Sequence, residues 1–129
     1  MPDDDEKIYN VYAKECPARL TFDRISNKWT LFILYLLRQR SIRFNQLLRE
    51  IEGISQKMLS QTLKQLERDG MISREVFPTV PVTVEYSLTP LGQTLTQTVG
   101  LMVEWAQQHG DAVLAAQRAY DARMEENSG

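Results

Sequence analysis

The sequence predicts a mainly α fold with one small β-hairpin, of the α+β class, and three observations lead there. The stretch Ile42 to Gly70, IRFNQLLREIEGISQKMLSQTLKQLERDG, reads as two helices joined by a tight connection that carries Gly53. Two alternating segments follow, MISREVF from Met71 and the run Val82 to Leu88, separated by the proline-bearing PTVP. Helical patterns flank this unit on both sides. A short helix, a turn, a capped helix and a hairpin in that order make a winged helix-turn-helix, in which the second helix enters a DNA groove and the hairpin flanks it.

At 129 residues the chain is about one domain in size, with 43% hydrophobic and 25% charged residues, which are ordinary globular values. No window approaches the ~20 apolar residues of a membrane helix, and MPDDDEK lacks the basic-then-apolar pattern of a secretory signal. A cytoplasmic protein without membrane attachment is expected. Cys16 is the single cysteine, so no internal disulfide can form, although a bridge to another chain can. The net charge of −2 would suit a nucleic-acid binder poorly if it were evenly spread. Between Arg24 and Arg74, however, ten Lys and Arg face four acids, leaving +6, whereas the rest of the chain has five against thirteen, leaving −8. A local basic field on an acidic body acts on phosphates nearby and limits attraction elsewhere.

Taken in order, Met1 to Lys7 is a charged arm, and Ile8 to Tyr12 carries aromatic and aliphatic side chains that need a surface to cover. Cys16 precedes Pro17, a favoured first helical residue, which places the thiol at or beside the start of a helix Ala18 to Ile25. A helix N-terminus and nearby cations, here Lys14 and Arg19, favour the reactive thiolate, while a lone cysteine is more often an inert small apolar residue. Ser26 and Asn27 are cap candidates for a second helix, Lys28 to about Gln39, whose middle is apolar almost all round and therefore expected at the centre of the domain. Arg38, Arg40 and Arg43 form a basic cluster, either a solvated loop or a phosphate contact. The third helix, Asn45 to Ile51, turns Leu47, Leu48 and Ile51 inward.

The fourth helix runs from Gln56 to Asp69 because Ser55 can cap its start and Gly70 suits the left-handed residue past its end. Met58, Leu59, Leu63 and Leu66 make its inward stripe. The opposite face carries Gln56, Lys57, Ser60, Gln61, Lys64 and Arg68, with Glu67 as the near acid. Long donors and cations of this kind suit phosphates and base edges, although a polar outer face is also what any surface helix shows. The hairpin Met71 to Leu88 is the wing; its tip offers Thr79 and Thr83 rather than a cation, and Arg74 is the strand cation nearest the groove helix in sequence. Thr89 and Pro90 open a helix of about 19 residues, ~28 Å long, which Gly110 is expected to end before Asp111 caps a last one. Helices outside a winged core commonly supply a dimer contact; the alternative is that they fold back over their own domain. With one histidine, His109, and no phosphate loop, neither a metal site, a cofactor site nor a catalytic set is expected, so an enzyme is not expected.

On these residues the chain resembles the HxlR family of bacterial transcription regulators, a winged-helix group related to the MarR proteins. The resemblance runs from Cys16 to Gly92 through CP at Cys16, KWTLFIL from Lys28, RFNQL from Arg43, GISQKMLSQTLKQLERDG from Gly53 and VEYSLTPLG from Val84. It implies a homodimer built from helices at both chain ends, with one groove helix per subunit on a palindromic double-stranded operator and half-sites ~34 Å apart. It also implies that Cys16 is a candidate sensor of oxidants or electrophiles, by adduct or intersubunit disulfide, beside the alternative of a small-molecule inducer. The family often bears a basic residue just before the VEY segment, where this chain has Thr83, so a smaller wing contribution to DNA affinity is expected, with Arg74 replacing that residue in part.

The expected layout over residues 1–129 is an arm (1–15), a DNA-binding core (16–89) with its wing (71–88), and dimerisation helices (90–125). The expected function is a sequence-specific DNA-binding regulator, a homodimeric repressor, with Gln56, Lys57, Ser60, Gln61, Lys64 and Arg68 on the groove helix and Arg43 and Arg74 as phosphate partners. The alternative is a winged helix used for protein docking without DNA.

Overall fold

The computed structural model describes residues 10–128; the charged arm and the start of the Ile8 to Tyr12 cluster lie outside the described residues. Pro17 sets the first turn of α1 (Pro17–Ile25), and Asn27 then caps α2 (Lys28–Leu36), its side-chain oxygen accepting from the amides of Trp29 and Thr30 at 2.9 and 3.3 Å. Helix α2 stops three residues before the expected Gln39. The guanidinium of Arg38 donates to the Tyr35 carbonyl at 2.7 Å and lies 3.8 Å from the centre of its ring, so the side chain occupies an acceptor that a further turn would have used. Ile33, Leu34 and Leu37 are buried, but Phe32 faces outward, edge-on to Trp29, so α2 is covered on fewer sides than its composition indicates.

Next come β1 (Ile42–Arg43), α3 (Phe44–Glu50), α4 (Gln56–Arg68), β2 (Ile72–Phe77) and β3 (Thr83–Leu88). The hairpin is therefore part of a three-stranded antiparallel sheet in the order β1-β3-β2, with Ile42 opposite Tyr86 and Ile72 opposite Leu88. The two-residue β1 was not expected, since it is too short to carry a period. Leu47 and Ile51, Leu59, Leu63 and Leu66, Ile72 and Tyr86 close one core with α2. At the wing tip the Thr79 hydroxyl donates to the Pro81 carbonyl and lies 2.8 Å from the Thr83 hydroxyl, so both threonines are engaged with the tip itself.

The break expected at Gly110 does not occur: α5 runs unbroken over Pro90–Ser128, 39 residues. Among the described glycines positive φ is confined to Gly53 and Gly70, so Gly110 is an ordinary helical residue. One interior glycine costs about 1 kcal/mol relative to alanine, which the strong helix formers on both sides outweigh. Its first turn is tied to the end of α4. The Thr89 hydroxyl donates to the Gly70 carbonyl and accepts from the Gly92 amide at 3.1 Å, while the Thr89 amide donates to the Met71 carbonyl at 3.0 Å. Thr89→Ala is expected to lower stability by about 1–2 kcal/mol in urea titrations, the upper end of a lost N-cap, because two elements lose a bond. No described helix is long and apolar enough to cross a membrane.

Candidate nucleic-acid interface

Helix α4 is fixed at both ends. The Ser55 hydroxyl accepts from the Met58 amide at 3.0 Å. At the other end Gly70, with φ of 77°, lets its own amide reach the Glu67 carbonyl and the Met71 amide reach the Leu66 carbonyl, which are the two bonds of a Schellman closure. The buried face consists of Leu59, Thr62, Leu63 and Leu66. Thr62 takes the inward place that Met58 was expected to hold: its hydroxyl donates to the Met58 carbonyl at 2.7 Å, satisfying the polar atom, while Met58 itself is exposed.

Opposite that stripe, Lys57, Gln61, Lys64 and Arg68 recur every three or four residues and are all exposed. Gln56 is exposed in the first turn, and Ser60 is half-buried on the edge of the same face. Arg68 borders a depression with Leu20, Asp23, Arg24 and Asp69, so the far end of the face meets α1. Among the described residues the ion pairs are Arg24 with Asp69 and Arg40 with Glu50, which leaves the cations of α4, Arg43 and Arg74 without a carboxylate partner.

The two expected phosphate partners are not side by side. Arg43 is level with Glu85 and Glu75 across the strands, whereas Arg74 is level with Tyr86 and Ile42, and alternation puts these sets on opposite faces of the sheet. Arg74, on the edge strand β2 that α4 packs against, shares its face with the buried Ile72 and so lies on the α4 side. Arg43 precedes α3 and borders a cleft of 720 Å³ between that helix and the wing, with Asn45, Gln46 and Arg49. Arg49 was not singled out from sequence; its spacing of three from Gln46, away from Leu47 and Ile51, is the signal that could have found it. The basic cluster also divides, since Arg38 caps α2 on Tyr35 and Arg40 lies 3.5 Å from Glu50.

Cys16 is the N-cap residue of α1 but makes no side-chain cap bond and is 7% exposed, so a reagent must displace neighbouring residues to reach it. Arg19 donates to the Tyr12 carbonyl at 2.8 Å. Among the described residues there is no group of three or more His, Cys, Asp or Glu suited to a metal ion.

Helix α5 buries Gly92, Thr96 and Val99 against the body. A second stripe, Met102, Trp105, His109, Val113, Tyr120 and Met124, lies roughly a quarter-turn round the helix and is exposed. Beyond Gly110 every described residue is exposed.

The HxlR-like helix-turn-helix family model matches residues 24–113. The uncharacterized HTH-type transcriptional regulator YtfH of Escherichia coli (strain K12) is 42% identical over 106 residues, covering 82% of this chain and 84% of its own. Among solved structures, ytfH from Salmonella typhimurium superposes with a TM-score of 0.80 at 39% identity, covering 86% of this chain and 99% of its own. The redox regulator HypR in its reduced form superposes with a TM-score of 0.70 at 39% identity, covering 77% of this chain and 98% of its own.

Proposed function

The chain belongs to the HxlR-like helix-turn-helix family and is a transcriptional regulator of that type, and from this premise we propose that it is a homodimeric, sequence-specific DNA-binding repressor. The observation that carries the reading is the outward face of α4: Lys57, Lys64 and Arg68, with Gln61 between them, have no carboxylate partner among the described residues and stand on a helix whose ends are both fixed. A rigid helix presents donors to base edges at low entropic cost, and cations without partners neutralise phosphates with release of counterions. Gln61 is assigned to base reading, Lys57, Lys64 and Arg68 to the phosphates or guanines beside it, and Gln56 and Ser60 to the rim. Arg74 extends the same surface, while Arg43 and Arg49 would meet the backbone from the α3 side. A second copy, seated on α5 and α1, would space two such helices for a palindromic operator, with half-sites ~34 Å apart. The protein would act in the cytoplasm, where the chromosome is.

Gel shifts on operator and scrambled DNA across a salt series test this. Gln61→Ala is expected to reduce discrimination roughly 5- to 100-fold, the worth of one good base contact. Lys64→Ala is expected to weaken binding to both DNAs and to flatten the log–log salt slope by about 0.9. Undiminished discrimination in Gln61→Ala removes that residue from base reading; equal affinity of the wild type for both DNAs removes the function itself.

The signal reaches this dimer either through the Cys16 thiol or through a bound small molecule. Similarity to a redox regulator and the place of Cys16 at the head of α1 support the thiol route. Cys16→Ser is then expected to hold its operator in the presence of diamide or a quinone that releases the wild type; release of both proteins alike excludes it.

A further inference from the structure

Resting on the DNA-binding reading above, we infer that Arg24 is a positioning residue for the groove helix: its grip on Asp69 ties α1 to the end of α4 and sets how α4 meets DNA. Arg24 Nε donates to both carboxylate oxygens of Asp69, at 2.8 and 2.7 Å, across 45 residues of sequence. Asp69 is the C-cap residue of α4, where the helix carries its partial negative charge and where a cation would ordinarily be favoured. An acid at that place is disfavoured unless something cationic answers it. Nor does its carboxylate end the helix, because Gly70 and the two backbone bonds to Glu67 and Leu66 already do so. What the carboxylate does is hold Arg24.

On the other side of the contact, α1 needs holding. None of its nine residues is buried, and Leu20 and Phe22 are 54% and 61% exposed. Among the described residues it is held by the buried Cys16 at its head, by the half-buried Ala18 and Ile25, and by the ion pair near its tail. The pair is part-buried, with the two side chains 35% and 21% exposed, so water and salt screen it less than a fully surface pair. A helix with uncovered apolar residues on one side and a single charged tie to α4 on another turns anything that seats α1, a second subunit included, into a setting for the groove helix.

The test compares Arg24→Gln, Asp69→Asn and the exchanged pair Arg24→Asp with Asp69→Arg in the full chain, by fluorescence anisotropy on an operator selected from genomic fragments and on its scrambled counterpart. The operator-to-scrambled affinity ratio is the readout, because a uniform change in charge cancels from it. Each single variant is expected to lose about tenfold in that ratio and the exchanged pair to regain most of it, as for two coupled charges. Asp69→Asn is the sharpest case: a purely electrostatic role predicts tighter binding to both DNAs with the ratio unchanged, and that result overturns the inference. Loss in the single variants without recovery in the exchanged pair overturns it as well. If the wild type itself shows no preference for operator, the DNA-binding reading falls instead. The tie is then judged by amide exchange along α1 from Thr21 to Ile25, expected to quicken in both single variants and to recover in the exchanged pair; exchange equal to wild type overturns it.

Discussion

Gly92→Ala is expected to destabilise the protein by about 3 kcal/mol or more, the upper range for forcing extra volume into a packed site. A Cβ at position 92 would stand 2.0 Å from the Met71 carbonyl oxygen and 3.2 Å from a methyl of Leu88. The oxygen is backbone, it accepts the Thr89 amide, and it belongs to the residue whose own amide closes α4, so it has nowhere to retreat. Relief requires lifting the first turn of α5 off the α4–β2 junction. In a domain of this size the change should lower the melting temperature by roughly 10 °C or more. Gly110→Ala is the internal control: a Cβ there meets nothing within 4 Å and the backbone is already helical, so that variant should gain about 0.5–1 kcal/mol. Equal melting temperatures for Gly92→Ala and wild type would show that the α4–α5 contact is looser than its geometry indicates.

Helix α4 could be read from sequence to within a residue because its limits are local: Ser55 and Gly70 act on amides and carbonyls three to five residues away. What escaped was set by distant contacts or by small sums. Strand β1 exists because Ile42 and Arg43 find β3 more than forty residues later, and two residues hold no period. Thr62 looks polar in a sequence window, yet its hydroxyl is satisfied by the turn before it, which frees its methyl for the core and leaves Met58 outside. Gly110 alone favours a break, but a helix integrates preference over many residues, and α5 runs through it. For the proposed interface, residue types on α4 gave the outward face, but sequence could not separate Arg43 from Arg74, because which side of a sheet a residue takes depends on register with strands not yet placed. The division of Arg38 and Arg40 from Arg43 was hidden for the same reason, since their partners are a ring and a carboxylate supplied by the fold.

Val113→Glu combined with Tyr120→Glu is expected to give a folded monomer that binds the operator roughly 10²- to 10⁴-fold more weakly than the parent, the size of effect lost when two linked sites become independent. Past Gly110, α5 adds 18 residues, about 27 Å, along which every described side chain is exposed. A helix extending from its own body without a partner is marginal in water, because most helical stability in proteins comes from packing of an apolar face. Val113 and Tyr120 lie on the exposed stripe and one heptad apart, so two carboxylates there would each have to be desolvated in an interface between copies. The core is untouched by either change, so the melting transition of the winged unit should persist while helicity of the distal α5 falls in circular dichroism. Binding to an isolated half-site should stay within a few-fold of the parent, since α4 is unaltered, and the loss should appear only on the full operator. Sedimentation at micromolar concentration gives the decisive reading: a double variant that still sediments as a dimer places the subunit contact elsewhere, and a monomer that holds the full operator as tightly as the parent removes the need for twofold recognition.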